Sequence, residues 1–167
     1  MSSLGEAWYH PSMTAPVWLD PQVIEWSQWL VDSYRYWTSR DLIKPESDVQ
    51  RRARALFEAR FIVVSHGTET DPVLNYGNEA ALRLWEMTWN EFVRTPSRLT
   101  AEPAEQVERE RMLEAAKTRG YFEQYQGVRI TSTGRRFLIE NAVVWTVRDQ
   151  RGATVGQAAT FSRWTTV

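Results

Sequence analysis

The feature that most constrains the fold is a run of three strand-like segments in the last third of the chain. The stretch "YFEQYQGVRITSTGRRFLIENAVVWTVRDQRGATVGQAATFSRW", residues 121–164, is rich in β-branched and aromatic residues. Turn signals at residues 132–134 and 149–152 divide it into three parts. Because strands joined by short turns pair with their sequence neighbours, these residues predict an antiparallel meander.

The stretch "VLNYGNEAALRLWEM", residues 73–87, passes abruptly from alternating apolar residues into a helical pattern at Asn78. An Asn side chain can accept from the free amides at the start of a helix, so Asn78 is predicted to cap the helix that follows. The preceding "FIVVSHG", residues 61–67, is a short β-branched run that ends in turn residues. Together these residues predict two adjacent antiparallel strands followed directly by a helix.

Helical patterns fill most of the chain before these strands. Asp20 and Pro21 form a helix start, and apolar residues then recur at three- and four-residue intervals over residues 23–37. Ser47 and Gln50 match a capping box before a second helix, and Thr88 and Glu91 match another before a later, short helix. The order of elements therefore predicts an α+β fold, with a five-stranded antiparallel sheet, helices over one face and an N-terminal helical extension.

Composition excludes several classes of function. The formal net charge is −1, so no global basic field attracts nucleic acid or an anionic membrane, and neither is expected as a direct partner. No apolar run approaches the length of a membrane span, and residues 1–16 lack the basic and apolar regions of a signal peptide. These features predict a cytoplasmic address.

The chain contains no cysteine. Disulfides, thiolate zinc sites and any flavin or chromophore linked covalently to cysteine are therefore excluded. His10 and His66 are the only histidines, which is too few for a histidine-rich metal site, and no metal is expected.

In its order of elements the sequence resembles a PAS domain, in which an Asn such as Asn78 follows the second strand and a glycine lies in each of the last two hairpins, here Gly134 and Gly152. Four blocks more closely resemble the MEKHLA domain, a PAS-related family of bacteria and plants: "FIVVSHGTETDPVLNYGNEAALRLWEM", "PSRLTAEP", "GVRITSTGRRFLIENAVVW" and "GQAATF". The resemblance implies a PAS-like core at residues 57–167, on which an N-terminal helical extension of residues 1–56 packs.

The resemblance implies a sensory or regulatory module rather than an enzyme. In plants the family's domain ends class III homeodomain-leucine zipper proteins, but no homeodomain or zipper precedes it here, so direct transcription-factor activity is not expected. Helices that close over a sheet can enclose a small molecule, which signals by favouring one of two arrangements of an element such as the N-terminal helix. Part of the tryptophan-rich stripe over residues 23–37 is interpreted as a dimer or helix-docking surface. A homodimer is expected, while the signalling partner is unknown.

Two alternatives stay open. The first is a protein-interaction module whose core is filled by its own side chains, and a cavity under the helices would distinguish the sensor from it. The second is a small α+β barrel enzyme that uses His66, with Asp71, as an acid/base pair, which requires the two side chains to converge inside such a cavity.

The cofactor is not determined by the residues. The adduct of a light-oxygen-voltage flavin sensor requires a cysteine, and the predicted helix before the last three strands has no histidine to serve as the axial haem ligand common in PAS domains. His66 and Met112 remain as iron ligands in principle. A noncovalent flavin, a small carboxylate or an apolar metabolite requires no special motif and stays open.

Strand alternation and the family-like fold select the candidate ligand-binding residues, and no catalytic residue is assigned. The candidates are Asn78, Trp85, Tyr125, Arg129, Asn141, Trp145 and Thr160, with His66 as a polar or pH-sensing group.

Each candidate also has a plainer interpretation. Large aromatic residues usually pack in cores, and His66 can simply fix the hairpin through backbone hydrogen bonds. Arg129 and Arg136 can hold a carboxylate bidentately, or else form solvated salt bridges with Glu123 and Glu140. Asn141, between apolar alternates, can bind a ligand or a backbone group, because a buried amide must be hydrogen-bonded.

Overall fold

The computed structural model describes residues 15–101 and 103–167. The expectations drawn from residues 1–14, which include the absence of a signal peptide, His10 and the first part of the N-terminal extension, lie outside the described residues.

The described chain contains five α-helices and six strands. The helices are α1 Pro21–Thr38, α2 Val49–Phe57, α3 Glu79–Trp85, α4 Trp89–Phe92 and α5 Pro103–Arg119. The strands are β1 Ile62–His66, β2 Leu74–Gly77, β3 Tyr121–Ile130, β4 Arg136–Arg148, β5 Thr154–Phe161 and β6 Arg163–Thr166. Short 3-10 helices cover Val17–Leu19 and Ser97–Thr100.

The strands form one antiparallel sheet in the order β2-β1-β5-β4-β3, which confirms the predicted five-stranded α+β fold. The last three strands are the predicted meander, and Gly134 and Gly152 have the positive φ angles, 89° and 85°, that their turns require. The sequence analysis missed β6, which pairs with the first part of β4 while β5 pairs with the last part.

Helices cover both faces of this sheet, whereas the sequence predicted them over one. We call the face under α3, α4 and α5 the inner face, and its core includes Ile62, Trp85 and Phe161. Helix α1 packs on the opposite, outer face, where the buried residues include Val63 and Trp145. The two clusters use alternate residues of the same strands, because successive side chains of a strand point to opposite faces.

The tryptophan stripe of α1 docks onto the chain's own sheet. Trp26 Nε1 donates to Ser65 Oγ at 2.9 Å, and Trp37 Nε1 donates to the Thr146 carbonyl at 2.8 Å. Gly120 has a φ of 94°, and the Trp37 ring lies so close that a Cβ there would be only 2.3 Å from it. These residues therefore attach the N-terminal extension to the core, and the stripe is not left free as a dimer surface.

Most helix starts follow the predicted caps. The Asp20 side chain accepts from the amide of α1, and Thr88 and Glu91 form both hydrogen bonds of the capping box that starts α4. The exception is α2, where the cap is Asp48 rather than Ser47, since the Asp48 carboxylate accepts from Arg51 N at 3.0 Å. Neighbouring Ser and Asp residues both suit the position, and a carboxylate gains more from the helix dipole.

Asn78 is fully buried between the two parts of the chain. Its Oδ1 accepts from Ala81 N at 3.2 Å, which caps α3 as predicted, and also from Val63 N at 3.1 Å. Its Nδ2 donates to the Leu56 carbonyl at 3.2 Å and to the Phe61 carbonyl at 2.8 Å. The amide thus joins the end of α2, the start of β1 and the start of α3.

The substitution Asn78→Asp tests this junction, because it replaces the donating Nδ2 with an oxygen that faces two carbonyls. We expect the free energy of unfolding to fall by about 3 kcal/mol at pH 7, since a buried carboxylate is left without donors on that side. Urea titration measures this loss. The matched control is Asn90→Asp, an exposed position of α4 that should change little. A loss under about 1 kcal/mol, the size of an average substitution, would contradict the role of Asn78.

Candidate functional site

A cavity of about 70 Å³ lies between the inner face of the sheet and the helices. An engineered cavity of about 150 Å³ binds benzene, and one water takes up about 30 Å³ in the liquid. Most of the wall is apolar and comes from β1, β4, β5 and α5, with Val64, Ile139, Val144 and Leu113 among its residues. The cavity therefore has room for a few waters or for one compact organic molecule.

Three buried polar atoms in this wall have no hydrogen-bond partner among the residues that the structure describes. They are Nε2 of His66, Nε1 of Trp85 and Oγ of Ser97, and the side chains are 8%, 3% and 1% exposed. Buried polar groups in folded proteins are nearly always hydrogen-bonded. All three residues line the same cavity, which groups these unpartnered atoms at one place in the fold.

His66 presents a lone pair to the cavity. Its Nδ1 lies 2.8 Å from the Gly67 carbonyl oxygen, so Nδ1 carries the proton and Nε2 is an acceptor in the neutral ring. Burial and, to a smaller extent, the positive charge of Arg109 lower the pKa of His66, although the hydrogen bond to Gly67 raises it. The neutral ring is therefore the favoured form in the folded protein.

Two arginines line the same cavity. Arg129 is 6% exposed, and it donates to the Val128 carbonyl at 2.9 Å and to the hydroxyl of Tyr125. Burial, followed by the positive charge of Arg129, lowers the pKa of Arg109 to about 10, although Tyr125 and Glu110 raise it. Among the described side chains of the wall, these two arginines are the residues with a permanent charge.

Of the candidate residues, the structure places Trp85, Tyr125, Arg129 and His66 in the cavity wall. The ring of Trp85 also packs edge to face with Phe137, 5.2 Å between centroids, so it serves the core as well. The predicted ion pair of Glu123 with Arg129 is absent from the described contacts, because Glu123 pairs with Arg40 at 2.6 Å. Whether these wall residues bind a ligand stays a prediction.

Asn78, Trp145 and Thr160 do not line the cavity. The Asn78 amide is hydrogen-bonded to the backbone groups of the junction described above. Trp145 packs on the outer face, with its ring centroid 5.0 Å from that of Tyr34. Thr160 pairs with Val63 in the outer-face register and donates to the Ile62 carbonyl at 2.8 Å. Alternation along β5 predicted that Thr160 lies on the inner face, whereas the structure places it on the outer face.

Asn141 also lies outside the cavity, and a β-bulge explains why. Ile139 pairs with Gly127 while Ala142 pairs with Tyr125, so β4 has one extra residue between these pairs. Asn141 takes up the irregularity with a φ of 53° and is exposed. Simple alternation assumes an unbroken strand and therefore assigned Asn141 to the inner face.

The sequence analysis missed Arg109 and Ser97. Arg109 belongs to the charged run "ERER", which is typical of a solvated helix face. The sequence nevertheless contains a signal for its position, because a helix places four residues on one face at this spacing: Arg109, Met112, Leu113 and Ala116. Ser97 follows a proline in a 3-10 helix and carries no such signal.

The acid/base pair required for the enzyme alternative is not formed. Asp71 is exposed and pairs with Arg98, with 3.1 Å between Nε and Oδ1, and it does not line the cavity that contains His66. Within the described residues no group of His, Asp and Glu side chains is arranged to hold a metal ion.

Solved structures with the same arrangement define the class of this fold. The chain matches the PAS domain of a protein from Colwellia psychrerythraea with a TM-score of 0.59 and 12% identity, over 71% of this chain and 96% of that one. It matches a light-oxygen-voltage domain studied with a flavin analogue with a TM-score of 0.55 and 17% identity, over 69% and 83% of the two chains. At these identities the likeness shows the fold, which is that of a PAS domain.

Within this class the sequence matches the MEKHLA domain over residues 24–166, so the chain belongs to the MEKHLA domain family. The match includes most of α1, which indicates that the family's domain extends across the outer face of the sheet. No curated protein matches the sequence. In the described part of the chain, no helix has the length and apolar character needed to cross a membrane.

The environment of His66 predicts a pH-dependent stability. Because its folded pKa is lowered, the unfolded chain binds more protons below about pH 6.5, and the stability gained from the neutral ring is lost as the pH falls below that value. The variant His66→Asn keeps a donor for the Gly67 carbonyl but does not titrate. We expect the wild type to lose stability between pH 7 and pH 5 faster than the variant, by at most about 1.4 kcal/mol per pH unit.

Urea titrations of both proteins at several pH values measure this difference. The variant retains every carboxylate, so it corrects for the acid titration of those groups. Parallel stability curves for the two proteins would contradict the prediction, because they would show that the pKa of His66 is the same in the folded and unfolded states.

Proposed function

We propose that this protein is a sensory or regulatory module that binds a small molecule in the cavity between the helices and the inner face of the sheet. The observation that carries the proposal is that three buried, unpartnered polar atoms, from His66, Trp85 and Ser97, belong to the wall of one cavity. The outer face has two such atoms, Tyr76 Oη and Trp145 Nε1, but these two do not share a cavity among the described residues. The alternative, a ligand-free interaction module, gives the grouping around the cavity no role.

The size of the cavity favours a compact ligand. A volume of 70 Å³ is about half that of an engineered cavity that binds benzene. The three fused rings of a flavin exceed that space in the present arrangement of α5, so the ligand of the light-oxygen-voltage neighbour is not the one proposed here. A molecule of a few carbon atoms, such as a short fatty acid, fits better.

Strand β1 provides a route from the cavity to the N-terminal helix. His66 faces the cavity, while its neighbour Ser65 faces the outer side and accepts the hydrogen bond of Trp26. Gly156 of β5 lies between the His66 backbone and the Trp26 ring. A Cβ at this position would lie 2.2 Å from the His66 carbonyl oxygen and 3.2 Å from the Trp26 ring. A ligand that shifts β1 would therefore alter the docking of α1, which is the differential contact a signal requires.

The finer features of the module are part of the same proposal. It acts in the cytoplasm, as a homodimer or through contacts with a signalling protein, and without catalysing a reaction. Because Trp26 and Trp37 are used inside the chain, any dimer forms through other residues, and the exposed side of α1, with Tyr36 61% exposed, is the surface we assign to it.

Native mass spectrometry of the protein purified without added ligand tests the proposal. We expect a stoichiometric excess mass in the wild type and its loss in Ala159→Leu, which adds three carbons to a wall residue that faces Val64 and Val144. The matched control Ala55→Leu, at an exposed position of α2, should retain the excess mass.

Two results would overturn the proposal. One is a wild type without excess mass that binds no member of a library of compact molecules. The other is an Ala159→Leu variant that is folded by circular dichroism and holds the same ligand as the wild type, since the ligand would then lie elsewhere.

A further inference from the structure

The polar groups of the cavity are mostly hydrogen-bond donors. Trp85 Nε1 can only donate, the guanidinium groups of Arg109 and Arg129 can only donate, and the hydroxyl of Ser97 can donate as well. Among the buried side-chain atoms described in the wall, His66 Nε2 and the Ser97 hydroxyl oxygen are the unpartnered acceptors. Most of the set therefore matches a ligand rich in acceptors, and water, with equal numbers of donors and acceptors, fits it poorly.

The charges in the cavity point the same way. Arg129 is partly satisfied by the Val128 carbonyl and the Tyr125 hydroxyl, whereas the described residues offer Arg109 no carboxylate within 4.0 Å. Two positive groups that face one low-dielectric space repel each other, and although Glu110 on α5 offsets part of the charge of Arg109, no described acid lies in the wall itself. An anion placed between them relieves this repulsion and uses the planar donor forks of both.

We propose that the cavity is a receptor site for a small organic carboxylate, whose acid group is held by Arg109 and Arg129 and whose apolar body lies against the sheet. This inference rests on the function proposed above and specifies its ligand class. Met112 and Leu113 on α5 and Ile139 and Phe161 on the sheet form the apolar part of the wall. The volume limits the body to a few carbon atoms.

Pairs of ligands with the same shape and different charge test the carboxylate directly. The probes are isovalerate against isovaleramide and butyrate against butyramide, with acetate as the acid that lacks an apolar body. We expect isothermal titration calorimetry on the purified wild type, after removal of any bound ligand, to show each larger acid binding at least about tenfold more tightly than its amide. Acetate should bind more weakly than isovalerate, because it buries less apolar surface.

The variant Arg109→Met separates ligand binding from a structural role. It keeps the length of the apolar stem and removes a charge that burial disfavours, so the ligand-free variant should unfold at the same temperature as the wild type or at a higher one. The same variant should lose the preference for acids over amides. The matched control Lys117→Met makes the same charge change at an exposed position of α5 and should keep the preference.

Three outcomes would overturn the inference. Amides that bind as tightly as their acids would show a cavity that does not recognise charge, while leaving the ligand-binding module in place. An Arg109→Met variant that keeps the preference, or that is clearly less stable than the wild type without ligand, would assign Arg109 to the fold. Binding of none of the five probes would overturn the carboxylate class, and the native mass spectrum would then decide separately whether the cavity binds a ligand.

Discussion

The side-chain amide of Asn78 makes four hydrogen bonds at the point where the N-terminal extension, the first strand and the helices over the cavity meet. All four partners are backbone groups, and a buried backbone group without a partner is costly. Only an amide offers an acceptor and two donors in so small a volume, which is why neither Asp nor a hydrophobic residue can replace it. The position of α3, and of the Trp85 ring it carries into the cavity wall, depends on this junction.

The two faces of the sheet have different roles, because each is covered by different helices. The outer face is used for attachment of α1, through tryptophan side chains that bond to the sheet. The inner face leaves a space under α5 and places unpartnered polar atoms around it. Because alternate residues of one strand serve the two faces, a change on the inner side of β1 is one residue away from the contact that holds α1. This closeness gives a physical basis for coupling a ligand to the N-terminal helix.

The residues that sequence reasoning placed well are those with strong local signals. Asn78, Asp20 and Thr88 are caps that act within one turn, and Gly134 and Gly152 lie in turns that need a positive φ. The errors have tertiary causes. The bulge at Asn141 changes the face of every later residue of β4. The charged run around Arg109 hides the fact that this residue lies on the same inward helix face as Met112 and Leu113.

The sequence by itself determined the order of helices and strands, the absence of cysteine chemistry and the family, because periodicity, caps, turns and motif blocks are local properties of the chain. Only the tertiary structure decided that α1 covers the outer face and that the tryptophan stripe packs on the chain's own sheet. It also decided which polar residues share one cavity, namely Arg109, Arg129, His66, Trp85 and Ser97. These facts depend on which surfaces meet across long separations in the chain. Packing sets that choice, and neither spacing nor composition records it.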